Sequence, residues 1–182
     1  MSAIKIIIPF TPKPALSVRC NFDTRIRQRK GRGSWYNPRK RLKETIEAWI
    51  QEHLPQSEAP LLSGPLLVVC HFRMPMTASD LSSGVKRKRL VNIPHYQRPD
   101  GDNLEKFLND TLTGKLWKDD SQIAWMLRSK SRIEQRVGQM ELYVKELTFN
   151  APDYADILTS IAENIRFDND DRAIQIVPEM TV

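Results

Sequence analysis

The sequence predicts an α+β fold in which a small mixed β-sheet packs against two main helices. Three observations support this class. Apolar, β-branched runs occur near the start of the chain and again at residues 65–74. Two segments, beginning near residues 38 and 103, repeat apolar side chains at helical spacing. Two late segments, 121–133 and 139–147, alternate apolar and polar residues as strands do.

The first half of the chain predicts a strand, a helix and a second strand. Ile4–Phe10 is rich in β-branched residues and is ended by prolines, which favours a strand. Pro38 opens a helical pattern that has one apolar face and ends near His53. After a linker at 55–64, the apolar run Pro65–Met74 predicts a buried strand.

The second half predicts a long loop, a helix and a hairpin. Thr77–Gln97 is polar and is expected to be a loop, which at this length indicates a functional or disordered segment. A helix with an apolar stripe is expected over about 103–113. Ser121–Ile133 and Gln139–Leu147 are expected to pair as a β-hairpin, with Gly138 in the turn.

Charge divides the chain at about residue 148. Residues 1–148 contain 26 basic and 15 acidic side chains, a net charge of +11, whereas residues 149–182 carry −5. We therefore expect one domain over 1–148 and an acidic C-terminal extension over 149–182, which begins with a short helical pattern and becomes irregular. A body this basic suggests a polyanionic partner, and a generally basic protein without one is the alternative. The extension could cover the basic body, but a solvated tail or a dimer arm is the simpler expectation.

Composition argues against several classes of protein. Neither Cys20 nor Cys70 has a partner at zinc-binding spacing, so neither a structural zinc site nor a disulfide framework is expected. The N-terminal apolar run lacks the basic start of a signal peptide, and no run reaches transmembrane length. We therefore expect a cytoplasmic protein without a membrane partner.

An acidic cluster interrupts the basic body at Asp100, Asp102, Asp119 and Asp120. The first two lie at the start of the predicted helix, where backbone N–H groups favour negative charge, and Lys106 follows one turn later. If the next strand runs back past the helix start, Asp119 or Asp120 would join the first pair. Three carboxylates would then form an oxygen cage suited to Mg²⁺ or Mn²⁺. On spacing alone, a capped helix followed by a polar turn is the more ordinary alternative.

Two motifs carry a resemblance to a known family. The first is RPDGDNLEK at 98–106, and the second is LWKDDSQI at 116–123. In this order, with a helix between them, they closely resemble the RusA family of Holliday junction endodeoxyribonucleases. Weaker similarity reaches the opening strand and the strand before the acidic motif, so the resemblance covers roughly 4–147. Thr77–Gln97 is longer than is usual in the family, and residues after about 149 lie outside the resemblance.

The resemblance implies a site, a cofactor and an assembly. Asp100, Asp102 and Asp120 would be the metal-binding catalytic carboxylates and Lys106 the catalytic lysine, while Asp119 would have a lesser role. The family is Mg²⁺-dependent and homodimeric, and it cuts four-way DNA junctions by paired nicks. A two-fold dimer would present two equivalent sites to two equivalent strands.

Basic side chains outside the acidic cluster are candidate contacts to DNA phosphates. Such contacts position a protein without reading sequence and make binding salt-dependent. Solvated loops without a ligand are the alternative. Tyr96 could stack on a splayed nucleotide, although anchoring of its loop is at least as good an interpretation. The candidates are Arg25, Arg27, Arg29, Lys30, Arg32, Lys86, Arg87, Lys88, Arg89 and Arg98.

The functional hypothesis is a Mg²⁺-dependent endonuclease that resolves branched DNA at the nucleoid of a prokaryotic or phage-infected cell. Two alternatives stay open. One is a module that binds branched DNA without efficient cleavage. The other is a regulatory or scaffold protein that acts through its acidic tail.

Overall fold

The computed structural model describes residues 3–15, 19–21, 34–36, 40–54, 62–147 and 174–177. A short 3-10 turn, Asp120–Gln122, precedes the fifth strand. In chain order the other elements are β1 (Ala3–Ile8), β2 (Arg19–Asn21), β3 (Ser34–Tyr36), α1 (Lys40–His53), β4 (Leu66–Pro75), α2 (Ala78–Ser82), α3 (Gly84–Leu90), α4 (Gly101–Leu112), β5 (Ile123–Ile133), β6 (Gln139–Glu146) and β7 (Ile174–Val177).

The main sheet has five strands in the order β5-β4-β6-β1-β7. β4 and β5 are parallel, and the other neighbouring strands are antiparallel. β2 and β3 form a separate two-stranded antiparallel sheet. The predicted α+β class, with a mixed sheet and two main helices, α1 and α4, is confirmed.

The hairpin expected between β5 and β6 is wrong, because β4 lies between them. Alternation of apolar and polar residues shows which faces a strand presents but not which strand it pairs with. Residues 134–138 cross the end of β4 instead of making a tight turn. Gly138 lies close to the end of β4, and its N–H donates to Thr11 Oγ1 at 2.9 Å.

One face of the sheet carries the main hydrophobic core. α1 contributes Ile46 and Ile50, and the apolar stripe of α4 includes Leu104 and Leu108. All four are buried against alternate residues of β1, β4 and β6. Trp117 is fully buried beyond the C-terminal end of α4. Each large apolar side chain buried in this way contributes about 1.5–3 kcal/mol, so the core fixes α4 against the sheet.

The segment Thr77–Gln97, expected to be a loop, contains two short helices, α2 and α3. They are polar and short, so they lack the apolar stripe by which a helix is recognised in sequence. The available signal was local: Thr77 and Asp80 form a capping box at the start of α2.

After α3 the same segment runs along the outer edge of β5. The N–H groups of Asn92 and His95 donate to the carbonyl oxygens of Arg132 and Lys130 at 3.0 and 2.9 Å. Arg132 N–H donates to Ile93 O at 3.1 Å. The segment is therefore built into the sheet.

The C-terminal extension also contributes to the sheet. β7, in a region expected to be irregular, pairs antiparallel with β1. The helical pattern that begins at residue 152 lies outside the described residues, and the division at residue 148 stays a prediction. Among the helices that the structure describes, none is long and apolar enough to cross a membrane.

Replacing Gly138 with alanine is expected to destabilise the fold. A Cβ atom there would lie 2.3 Å from the carbonyl oxygen of Arg73 and 2.9 Å from side-chain carbons of Pro12 and Pro75. Because the closest atom belongs to the backbone of β4, we expect Gly138→Ala to lower the free energy of unfolding by about 1–3 kcal/mol in urea titrations.

Gly84→Ala is the matched control for this substitution. A Cβ at Gly84, the first residue of α3, would meet no atom within 4 Å. Its free energy of unfolding should be unchanged or higher by up to about 1 kcal/mol. Equal stability of the two variants would contradict the close crossing at Gly138.

Candidate functional site

Two free carboxylates lie at the start of α4. Asp100 is the N-cap residue, but its side chain makes no capping hydrogen bond, and Asp102 lies in the first turn. Both side chains are exposed. Neither has a hydrogen-bond or ion-pair partner among the described residues. An N-cap aspartate usually accepts a hydrogen bond from the first turn, so the unused carboxylate of Asp100 is available to a ligand.

A row of cations on β5 faces the start of α4. Arg128, Lys130 and Arg132 alternate along the strand and lie opposite residues of β4 that face the main core. Lys130 Nζ donates to the carbonyl oxygens of Gln97 and Pro99 at 3.0 and 2.7 Å. These two bonds hold the backbone that leads directly into Asp100.

Arg128 packs beside the acidic pair. It forms an ion pair with Glu105, and a Cβ on Gly101 would lie 2.9 Å from Arg128 Nε. The hydrogen bond with Glu105 raises the pKa of Arg128, and the charge of Asp102 raises it further. Arg128 therefore places a fixed positive charge next to the acidic pair.

Lys106 is exposed on α4, one turn after Asp102. Among the residues that the structure describes, its ammonium group makes no ion pair, either with Asp102 or with another carboxylate. The helix therefore places an unpaired positive charge near the acidic pair.

The two residues of the second acidic pair, Asp119 and Asp120, differ in their contacts. Asp119 caps the 3-10 turn by accepting a hydrogen bond from Ser121 N at 2.9 Å. Hydrogen bonds from the Ser121 side chain and backbone lower the pKa of Asp119. Asp120 is exposed and, in the described part of the chain, its carboxylate has no partner. Of the two, Asp120 is the one free to bind a ligand.

The two acidic pairs lie at opposite ends of α4. Gln122, two residues after Asp120, donates to Leu62 O at 2.9 Å, and Leu62 bridges to Trp117 beyond the helix C-terminus. The 12 residues of α4 separate this end from Asp100, a distance of about 18 Å.

The expected three-carboxylate cage therefore does not form within one chain. β5 does run past the start of α4, but only at Arg128 and Lys130, well after Asp120. In the described residues no group of three or more His, Cys, Asp or Glu side chains could hold a metal ion. The cage was conditional on the course of β5, and the metal-binding roles of Asp100, Asp102 and Asp120 stay predictions.

The candidate DNA contacts lie on different parts of the chain. Residues 86–89, expected in a loop, belong to α3, where Lys86, Lys88 and Arg89 are exposed. Arg98 is exposed beside Asp100. The candidates Arg25 to Arg32 lie between β2 and β3 in the chain, outside the described residues. Tyr96 is 89% exposed, so its ring does not anchor the loop in the core.

Sequence reasoning missed the cations of β5 and an open cavity beside Asp100. The signal for the first was present: Arg128, Lys130 and Arg132 alternate with serines, which places all three on one strand face. The cavity, of about 690 Å³, is lined by segments that are distant in sequence, including Pro12 and His95. No local sequence pattern predicts a cavity of this kind.

Comparison with protein-family models gives a match over most of the chain. The family model described as Endodeoxyribonuclease RusA matches residues 10–144. Among curated proteins, no sequence matches this chain.

Lys130→Met is expected to loosen the start of α4. The carbonyl oxygens of Gln97 and Pro99 lose their charged donor, and such hydrogen bonds contribute about 1.5–3 kcal/mol. The backbone amides of Leu104, which donates to Asp100 O, and of the three residues after it should therefore exchange with solvent at least roughly tenfold faster in NMR measurements. Lys115→Met, at the other end of α4, should leave these rates unchanged. Equal exchange in both variants would show that Lys130 does not hold the acidic segment.

Proposed function

Because the chain belongs to the RusA endodeoxyribonuclease family, it is a nuclease of the Holliday junction type, and we propose that it resolves branched DNA by paired, Mg²⁺-dependent nicks. The observation that supports this best is the pair of carboxylates at the start of α4, Asp100 and Asp102, which have no partner among the described residues and are followed one turn later by Lys106. We place this activity in the cytoplasm of a prokaryotic or phage-infected cell, in DNA recombination and repair at the nucleoid.

The residues present fit a Mg²⁺ ion. Asp100 and Asp102 offer hard oxygen ligands on a helix turn, and neither is used by another group in the described structure. Mg²⁺ is usually held by one or two carboxylates together with water and phosphate oxygens, so this pair suffices as the core of a site, and Mn²⁺ suits the same ligands. When bound, the ion would offset phosphate charge and lower the pKa of a water molecule.

The cations around the pair have separate parts in this proposal. Lys106 is unpaired and would contact the scissile phosphate or the leaving oxygen, where it offsets developing negative charge. Arg128 is held by Glu105 and places a fixed positive charge beside the carboxylates. Lys130 fixes the backbone before Asp100. A site positioned in advance loses little energy to reorganisation when charge develops on the phosphate.

A homodimer would explain the position of Asp120. Within one chain this free carboxylate lies about 18 Å or more from the first pair, given the length of α4. A second copy related by a two-fold axis can bring its own Asp120 to Asp100 and Asp102, and the same operation completes the other site. We propose that the third carboxylate is supplied in this way, so that each copy completes the site of the other.

The basic surfaces would hold the arms of the junction. Exposed Lys86, Lys88 and Arg89 on α3 can contact phosphates at a distance from the acidic pair, and Arg98 can do so beside it. Such contacts give affinity and salt dependence without sequence preference. We propose the same part for Arg87 and for the basic segment from Arg25 to Arg32.

Asp102→Asn is expected to abolish cleavage while the protein still binds DNA. Losing one carboxylate removes a metal ligand, and we expect the nicking rate of a labelled four-way junction in Mg²⁺ to fall by at least roughly 100-fold. The dissociation constant for the junction in EDTA should change little, because the basic surfaces are intact.

Asp110→Asn is the matched control, an exposed aspartate on the same helix. It should cleave the junction like the unmodified protein, which should nick linear duplex poorly and nothing in EDTA. Undiminished cleavage by Asp102→Asn would rule out the proposed site. A wild-type protein that binds junctions without cutting them would favour a DNA-binding module instead.

Mixing two inactive variants tests the shared site. Asp102→Asn and Asp120→Asn should each be inactive alone. A dimer with one copy of each has one site with all three carboxylates, so the mixture should regain single-strand nicking of the junction after subunit exchange. If the three carboxylates act within one chain, no mixture regains activity.

A further inference from the structure

The open cavity beside Asp100, of about 690 Å³, has not been given a ligand in the proposed function, although Asp100 and Arg98 belong to its lining. The chain that follows β1 forms one wall, the segment leading to α4 forms another, and the end of β4 and Arg132 complete the lining. Asp100 lies on its rim, so whatever occupies the cavity is adjacent to the proposed metal ligands.

The lining of the cavity combines apolar and cationic side chains. Met74, Pro75 and three further prolines supply flat or apolar surface. Lys13, Arg98 and Arg132 supply positive charge, against which Asp100 is the one carboxylate in the lining. An aromatic base with a phosphate attached complements both parts, since bases stack on apolar and guanidinium surfaces and phosphates pair with cations.

The cavity walls are fixed by hydrogen bonds. Ala15 N–H donates to the carbonyl oxygen of Asn103 at 2.7 Å, which ties the first wall to the first turn of α4. Arg132 Nη2 donates to Gln97 Oε1 at 3.1 Å, and His95 N–H to Lys130 O at 2.9 Å, which tie the other wall to β5. A preformed pocket of roughly 300–1,000 Å³ is the usual size for a ligand of nucleotide dimensions.

We propose that this cavity holds one unstacked deoxynucleotide of branched DNA, next to the phosphate that is cut. The inference rests on the proposed nuclease function and adds the feature of the substrate that the site captures. Taking a nucleotide out of a duplex costs a few kcal/mol, and the cost is least where the base is already unpaired or poorly stacked. A branch point supplies such a nucleotide and a linear duplex does not, so capture selects branches.

Lys13 is the residue whose change tests the cavity alone. It lines the cavity together with Arg98, is only partly exposed, and makes no ion pair with a described residue. Lys5 is the matched control. It lies on β1 between Ile4 and Ile6, which face the main core, so its side chain leaves from the other face of the sheet.

The experiment places the fluorescent base 2-aminopurine, in turn, at each nucleotide flanking the branch point of a four-way junction. Full-length protein is added in EDTA, and fluorescence reports unstacking of the base. We expect a several-fold increase at the nucleotide beside the nicked phosphate and none in linear duplex. Lys13→Ala should lose most of this increase, weaken junction binding by roughly tenfold and lower its salt slope by about one. Lys5→Ala should match the unmodified protein.

The outcomes separate the cavity from the nuclease assignment. Mg²⁺-dependent cleavage of the junction without any unstacked nucleotide would overturn the cavity and leave the nuclease standing. Unstacking that depends on Lys13, in a protein that does not cleave, would support the cavity and overturn the proposed hydrolysis. Equal unstacking by Lys13→Ala and Lys5→Ala would also overturn the cavity as the place of capture.

Discussion

The acidic pair depends on the contact between the cations of β5 and the backbone that precedes α4. Lys130 binds two successive parts of that backbone, the carbonyl oxygens of Gln97 and Pro99, and Arg128 closes over Gly101. Without this contact, Asp100 and Asp102 would lose the hydrogen bonds that tie the backbone before them to the sheet. With it, they are held on a helix whose other face is buried in the main core, and the same strand also forms a wall of the adjacent cavity.

Features that depend on neighbouring residues could be predicted from the sequence, and features that depend on strand order could not. The apolar stripe of α4 and the acidic motif are contiguous, so the helix and its carboxylates were recognised. The place of Asp120 follows from where β5 begins relative to α4, which no local pattern records. The hairpin prediction was wrong for the same reason. The segments on both sides of Gly138 do alternate as strands, but β4, which lies about 60 residues earlier in the chain, is placed between them.

The Asp119–Asp120 pair shows why two adjacent, identical residues need not be equivalent. Asp119 uses its carboxylate to cap the 3-10 turn, whereas the side chain of its neighbour Asp120 is exposed. The sequence alone could not distinguish them, because a cap and a ligand both favour aspartate. The structure does distinguish them. Assembly of a complete site would depend on Asp120, the residue of the pair whose carboxylate has no partner in the described part of the chain.

The backbone bonds between residues 92–95 and β5 also limit how two copies can associate. An exposed edge strand invites a neighbouring chain to extend the sheet, and natural proteins cover such edges to prevent it. Here the outward peptide groups of Lys130 and Arg132 are already occupied by Asn92, Ile93 and His95. Continuous sheet formation between copies is therefore blocked at this end of β5, which is the end beside the acidic pair. Association of two copies beside the acidic pair therefore has to use side-chain surfaces at this end of β5, whose strength can be adjusted by mutation without altering the sheet.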